Sequence, residues 1–270
     1  MSSNFLAYYE HLESENKKLK TIIANADLIH KQQSIPANKT IVFPQCNESD
    51  TLKFSEVYKC WFNVHNDHIS RLRNAMLTNQ PETELHPIIL TVFDHLKSQF
   101  LLREFASKDD VLNLLHGTWM TPAELCVMWL GGFRPSDVVN LLNIHLQLTP
   151  EQSQFLINLK NDTFKQETDL SKQFTQLQST LSSRFIGEAF RQTCDDMYVS
   201  NYMSQMHISM GNQRAMEEIM QKADRLRAIT LDKIHSRFIK KQFAMALLAI
   251  NAYLNRITAL SYMWISRPKS

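Results

Sequence analysis

Residues 115–142 read LHGTWMTPAELCVMWLGGFRPSDVVNLL, and the fold class turns on how this stretch is parsed. Thr121-Pro122-Ala123-Glu124 forms a capping box, with proline at the first helical position, where its missing N–H leaves nothing unsatisfied. Gly131-Gly132 predicts the end of a helix over 122–130, because a C-terminal cap wants positive φ. Arg134-Pro135-Ser136 then opens another helix. Starts and stops this close together describe short helices stacked tightly rather than one long rod.

The same signals repeat outward. Upstream, Ser107-Lys108-Asp109-Asp110 opens a helix ahead of Val111, Leu112, Leu114 and Leu115. Farther back, Phe54, Val57, Tyr58, Trp61, His65, Ile69 and Leu72 form a broad apolar stripe, with Arg71 and Arg73 suited to a helix C-terminus. Downstream, Thr149-Pro150-Glu151-Gln152 repeats the capping device before Phe155, Leu156 and Leu159. A Gln-rich amphipathic stretch follows, with Leu170, Phe174, Leu177, Leu181 and Phe185 at helical spacing. The spacing of Met216, Ile219, Ala223, Leu226, Thr230 and Ile234 predicts a helix over about 213–238. Another, over about 241–265, is apolar almost all round (Phe243, Ala244, Ala246, Leu247, Leu248, Ile250, Tyr253, Leu254) and belongs in the middle of a bundle. Only 5 Gly in 270 residues argues against hairpins and phosphate-cradling loops, so an all-α, multi-helix bundle is expected.

The front of the chain differs. Phe5, Leu12, Leu19 and Ala26 fall seven apart, with Tyr9, Asn16, Ile23 and His30 on the companion register. Such a seam wants a partner helix, and an inner asparagine fixes a two-stranded register. Leu12, Asn16, Leu19 and Ile23 are the expected dimerisation positions of a short zipper-like helix over 1–30; a solvated lone helix with chance leucine spacing is the alternative. Residues 31–53, with Pro36 and Pro44 and no sustained period, read as a linker. The helical domain is then expected over 54–268.

The formal net charge of +2, from 29 basic and 27 acidic residues, gives no chain-wide attraction to nucleic acid or anionic lipid. Cys46, Cys60, Cys126 and Cys194 stand far apart, which suggests neither a disulfide framework nor a zinc site and fits a reducing compartment. The first residues show no signal-peptide pattern and no run approaches 18 apolar residues, so a soluble, non-secreted protein with no membrane contact is expected. No P-loop, nucleophile elbow, HExxH or glycine fingerprint appears. An enzyme is not expected, nor a cofactor or metal; His65 and His68, at i and i+3, read as solvated or core-edge histidines.

Long blocks of this sequence are recognisable. The run Leu115–Leu142 resembles the central signature of the TGA-type bZIP transcription factors of plants, a domain shared with the delay-of-germination (seed dormancy control) proteins. NYMSQMHISMG at 201–211 is similar to a Met-rich segment of the TGA branch. The run Ala246–Pro268 is similar to that branch's C-terminal helix and tail, and Phe54–Trp61 also matches. Together the blocks span about four fifths of the chain. The resemblance implies an all-helical, nuclear regulator that forms homodimers or heterodimers with TGA-type factors and is docked by a transcriptional coactivator. Cytoplasmic residence is the other option.

Within these blocks, Trp119, Trp129, Gly131, Gly132, Phe133 and Arg134 are candidate structural or partner-binding residues. The aromatics are expected to lock helix junctions, with a coactivator hot spot as the other reading. Arg134 either caps a neighbouring helix or pairs with an acid. Tyr202, Met203, Met206 and Met210 are candidates too, core packing being favoured over an adaptable partner groove.

Three departures from the family pattern matter. Residues 1–11 contain no Lys or Arg, whereas a bZIP basic region precedes its zipper, so direct DNA binding is not expected of this chain and nucleic acid is a partner only of the family's full-length form. The segment FLINLKNDTF at 155–164 lacks the cysteine pair of some TGA factors. No histidine stands from residue 236 onward, where some dormancy-type members have a haem-associated pair. Two further readings stay open: a dormancy-type signalling module that binds a protein phosphatase or hydrophobic ligand, and a shortened form of a DNA-binding TGA factor.

Overall fold

The computed structural model describes residues 48–117, 119–189 and 198–267. The zipper positions Leu12, Asn16, Leu19 and Ile23 lie outside them. Among the described residues the protein is all-α, as expected. Its helices are α1 (Glu48–Leu77), α2 (Glu82–His116), α3 (Pro122–Val127), α4 (Pro135–His145), α5 (Pro150–Ala189), α6 (Tyr198–Arg237) and α7 (Lys240–Ile265). They fall into two compact units. One contains α1, the part of α2 up to Phe93, α3 and α7; the other contains α2 from Asp94, then α4, α5 and α6.

In the first unit the stripe on α1 turns inward at Phe54, Trp61, His65, Ile69 and Leu72, whereas Val57 is left exposed. The helix begins at Glu48, upstream of that stripe. It ends in a Schellman motif: Gln80 N–H donates to Ala75 O (3.1 Å), Asn79 N–H donates to Met76 O (3.3 Å), and Asn79 takes φ 51°. Pro81 then blocks continuation. Phe93 meets Phe243 of α7 edge to face, with ring centroids 5.0 Å apart. Helix α7 is long and apolar enough to cross a membrane by length and composition, yet 67% of its most apolar window is buried, as suits a core helix.

The capping box at Thr121 forms as read. Thr121 N–H donates to Glu124 Oε2 (2.7 Å) and Glu124 N–H donates to the Thr121 hydroxyl (3.4 Å). The other Glu124 oxygen accepts from Thr258 of α7 (2.7 Å), and Ser261 Oγ accepts from Ala123 N–H (2.5 Å), so α7 satisfies two groups of α3. Contrary to expectation, α3 does not reach residue 130. It stops at Val127, because Met128 is extended (φ −70°, ψ 145°) and Leu130 takes positive φ, which no right-handed helix admits.

In the second unit, Asp110 leaves helical geometry (φ −150°, ψ 88°) and its carboxylate accepts from Asn113 N–H (2.9 Å). The helix start expected there is thus an N-cap inside α2. The Thr149–Gln152 box opens α5 through reciprocal bonds of 3.1 and 3.2 Å. The Gln-rich stretch continues the helix opened there, so α5 is a single element of 40 residues. Gln152 at its start reaches Arg237 O at the end of α6 (3.3 Å), and Leu170 clusters with Ile219, Ala223 and Leu226, so the two helices run antiparallel.

Candidate functional site

In the second unit, the signature residues Trp129, Leu130, Gly131 and Gly132 make a tight turn. Trp129 N–H donates to Gly132 O (2.7 Å) and Gly132 N–H donates to Trp129 O (3.2 Å). Both central residues have positive φ, 45° at Leu130 and 70° at Gly131, as a type I′ turn requires. Glycine meets that demand at 131 without strain, and a Cβ there would also lie 3.2 Å from Leu114 O. Leu130 pays a steric penalty of about 1–2 kcal/mol.

Two buried arginines hold the turn by its carbonyls. Arg227 Nε donates to Phe133 O (2.7 Å), and its Nη2 donates to Trp129 O and to Leu130 O (3.3 Å). Arg103 Nη1 donates to Gly131 O (2.7 Å). With Gly132 O bonded to Trp129 N–H, every carbonyl from 129 to 133 has a partner. The guanidiniums are braced by one carboxylate: Asp224 Oδ2 accepts from Arg103 Nε (3.2 Å), and Asp224 Oδ1 accepts from Arg227 Nη1 (2.6 Å) and from Arg103 Nη2. Asp224, Arg103 and Arg227 are all buried, Arg227 completely. Burial, and then repulsion from Arg103, pulls the Arg227 pKa down to about 10 against the opposing pull of Asp224. It stays charged near neutrality.

The space at Gly132 has a definite purpose. A Cβ there would sit 2.4 Å from Arg103 Nη1 and 3.0 Å from Arg227 Cζ, so only glycine lets both guanidiniums approach. The Arg227 guanidinium also lies over the rings of Trp129 (5.2 Å) and Phe133 (5.8 Å). Trp129 Nε1 donates to Ser171 Oγ (2.9 Å), and its ring joins the buried cluster of Leu170, Ile219, Ala223 and Leu226.

Immediately after the turn, Glu167 of α5 caps α4. It accepts from Ser136 N–H and from Ser136 Oγ, each at 2.7 Å, with the Arg134 guanidinium 3.9 Å away. Arg134 thus pairs with an acid of its own chain. Burial raises the Glu167 pKa, although the bonds from Ser136 and the charge on Arg134 oppose the rise. The Ser136 hydroxyl beside the Glu167 carboxylate is itself buried, and the pair serves as the cap of α4. The polar groups of the site are spent on the backbone, and its chemistry is that of a lock.

Trp119 belongs to the first unit, half-buried against Phe54 (5.2 Å, interplanar 88°) and Tyr58 (4.8 Å, 69°). Tyr58 stacks on Trp61, which stacks on His65 (5.0 Å, 10°). That contact makes His65 a buried core-edge residue. The methionines depart from expectation: Met206 and Met210 are 49% and 50% exposed, because they lie off the apolar stripe that begins at Met216. The side chains of Tyr202 and Met203 lie outside the described residues. Sequence reasoning missed Arg103, Glu167, Asp224 and Arg227 entirely.

Comparison with known proteins follows the same outline. Residues 68–143, which contain the turn and Arg103, match the family described as seed dormancy control. The chain is 34% identical over 97% of its length to the TGACG-sequence-specific DNA-binding protein TGA-2.1 of Nicotiana tabacum, and spans 58% of that protein. It is 33% identical, again over 97%, to transcription factors TGAL1 and TGA2.3 of Oryza sativa subsp. japonica, spanning 56% and 80% of them. The locked turn is therefore part of a seed dormancy control domain. The chain belongs to the plant TGA transcription-factor family.

Proposed function

We propose that this chain is a nuclear, non-catalytic regulator of transcription that works through protein contacts. It pairs with itself or with a TGA-type relative and offers its helical domain to a coactivator. The observation that carries this reading is the extent of the likeness: proteins named as transcription factors align with 97% of the chain, far beyond the seed dormancy control match alone. The locked turn supports it, since a backbone held by buried charge presents the surrounding helices in one fixed arrangement.

The tobacco relative is named for binding TGACG sequences. Residues 1–11 hold no Lys or Arg and so bring no basic side chain to a phosphate. Light scattering on the purified chain should give twice its mass of 31.5 kDa. Full-length TGA relatives should be captured in a pull-down. A strict monomer that captures none of them would refute the reading, as would tight, salt-sensitive and sequence-selective binding to a TGACG duplex.

A further inference from the structure

The last turns of α7 leave a stripe uncovered. Leu260, Met263 and Trp264 are 54%, 53% and 63% exposed, and the exposed Arg256 lies one turn before Leu260 on the same face. Thr258 and Ser261, which bond α3, point the other way. At the end of the stripe the Arg267 guanidinium lies 3.7 Å over the Trp264 ring and donates to Trp264 O (2.8 Å). The cation is thereby fixed in place on an exposed indole. Among the described residues, no carboxylate lies within ion-pair reach of it.

Charge selects the occupant. Helix α7 holds no Asp or Glu, Lys240 at its far end pairs with Glu82 (3.6 Å), and Arg267 follows its last turn. A second copy laid on the stripe would bring no carboxylate of its own α7 to answer Arg267. Spacing at i, i+3 and i+4 offers a ridge for a partner helix, and an aromatic beside an arginine is the composition that anchors interfaces. We propose that the stripe formed by Leu260, Met263, Trp264 and Arg267 docks an amphipathic helix of another protein, one whose apolar face is flanked by carboxylates. This deepens the reading that the chain acts through protein contacts, by naming a surface and a partner chemistry.

The test uses the full chain and two synthetic amphipathic peptides with the same leucine stripe, one flanked by glutamates and the other by lysines. Fluorescence anisotropy should show the glutamate peptide binding about tenfold tighter or more. Arg267→Glu should reverse that preference, and Trp264→Ala should weaken binding about tenfold while helix content by circular dichroism stays unchanged. Equal binding of both peptides, binding of neither, or indifference to Arg267→Glu overturns the proposal. So does binding only to phosphatidylserine vesicles, or a self-association that Trp264→Ala abolishes. Light scattering of the same variants reports pairing separately, so a dimer that ignores the peptides defeats this inference and leaves the functional reading standing.

Discussion

Two tryptophans of one signature are held by opposite means. Trp119 stacks among Phe54 and Tyr58 at a half-open surface, where ring geometry and apolar contact supply the cohesion. Trp129 is buried, and its carbonyl, indole N–H and ring face are all engaged, the first and last by Arg227. Each region is therefore fragile in its own way. An aromatic cluster weakens by degrees as surface is removed. A buried ion network depends on every member, because deleting one partner strands a charge away from water.

Three substitutions separate the two regions, the most damaging first. Asp224→Ala leaves Arg103 and Arg227 buried side by side, and should cost about 3–5 kcal/mol in urea unfolding. A loss under 1 kcal/mol would mean the network is not what holds the turn. Gly132→Ala drives a methyl against both guanidiniums and should cost roughly 2–3 kcal/mol. Trp119→Ala removes a half-buried ring and should cost about 1–2 kcal/mol, below both. If it proved the most damaging of the three, the contrast drawn here would be inverted.

The smallest effect is one of pH. Burial raises the Glu167 pKa above its ordinary 4.5, so the native state keeps this proton longer than the unfolded chain does. Stability should therefore decline as pH climbs from 4.5 through the raised value, then level off. Glu167→Gln, whose amide can still meet Ser136, should flatten that decline in melts recorded across the interval. An unchanged slope would mean another group is responsible.

Much of the architecture was legible before any coordinates. Local chemistry announced the caps at Thr121, Thr149 and Asp110, and the stripe from Met216 to Ile234 is buried as its period required. The lock was not legible, for a physical reason. Its cations and anion come from α2 and α6, more than a hundred residues apart, and a charged residue inside a helical pattern reads by default as solvated. A signal was nevertheless present. Arg227 falls one turn after Ala223 and seven residues after Met220, on the apolar stripe itself, and Glu167 stands between Thr163 and Leu170 in the same way. A charge on the buried face of a helix needs a partner: Arg227 finds Asp224 and the carbonyls of the turn, and Glu167 finds Ser136 and Arg134. The end of α3 falls short of residue 130 because the glycine pair completes a turn of its own and does not cap the helix.

Connections between helices are ordinarily where proteases first cut, since their backbone can bend into an enzyme's cleft. The segment 129–133 inverts that habit. Its carbonyls are all engaged by Arg103, Arg227 or its own amides, so it has no slack to offer and opens only when the surrounding unit comes apart. Chymotrypsin in limiting amounts should therefore leave this loop whole, with Trp129 and Phe133 intact, until the helices around it have been lost.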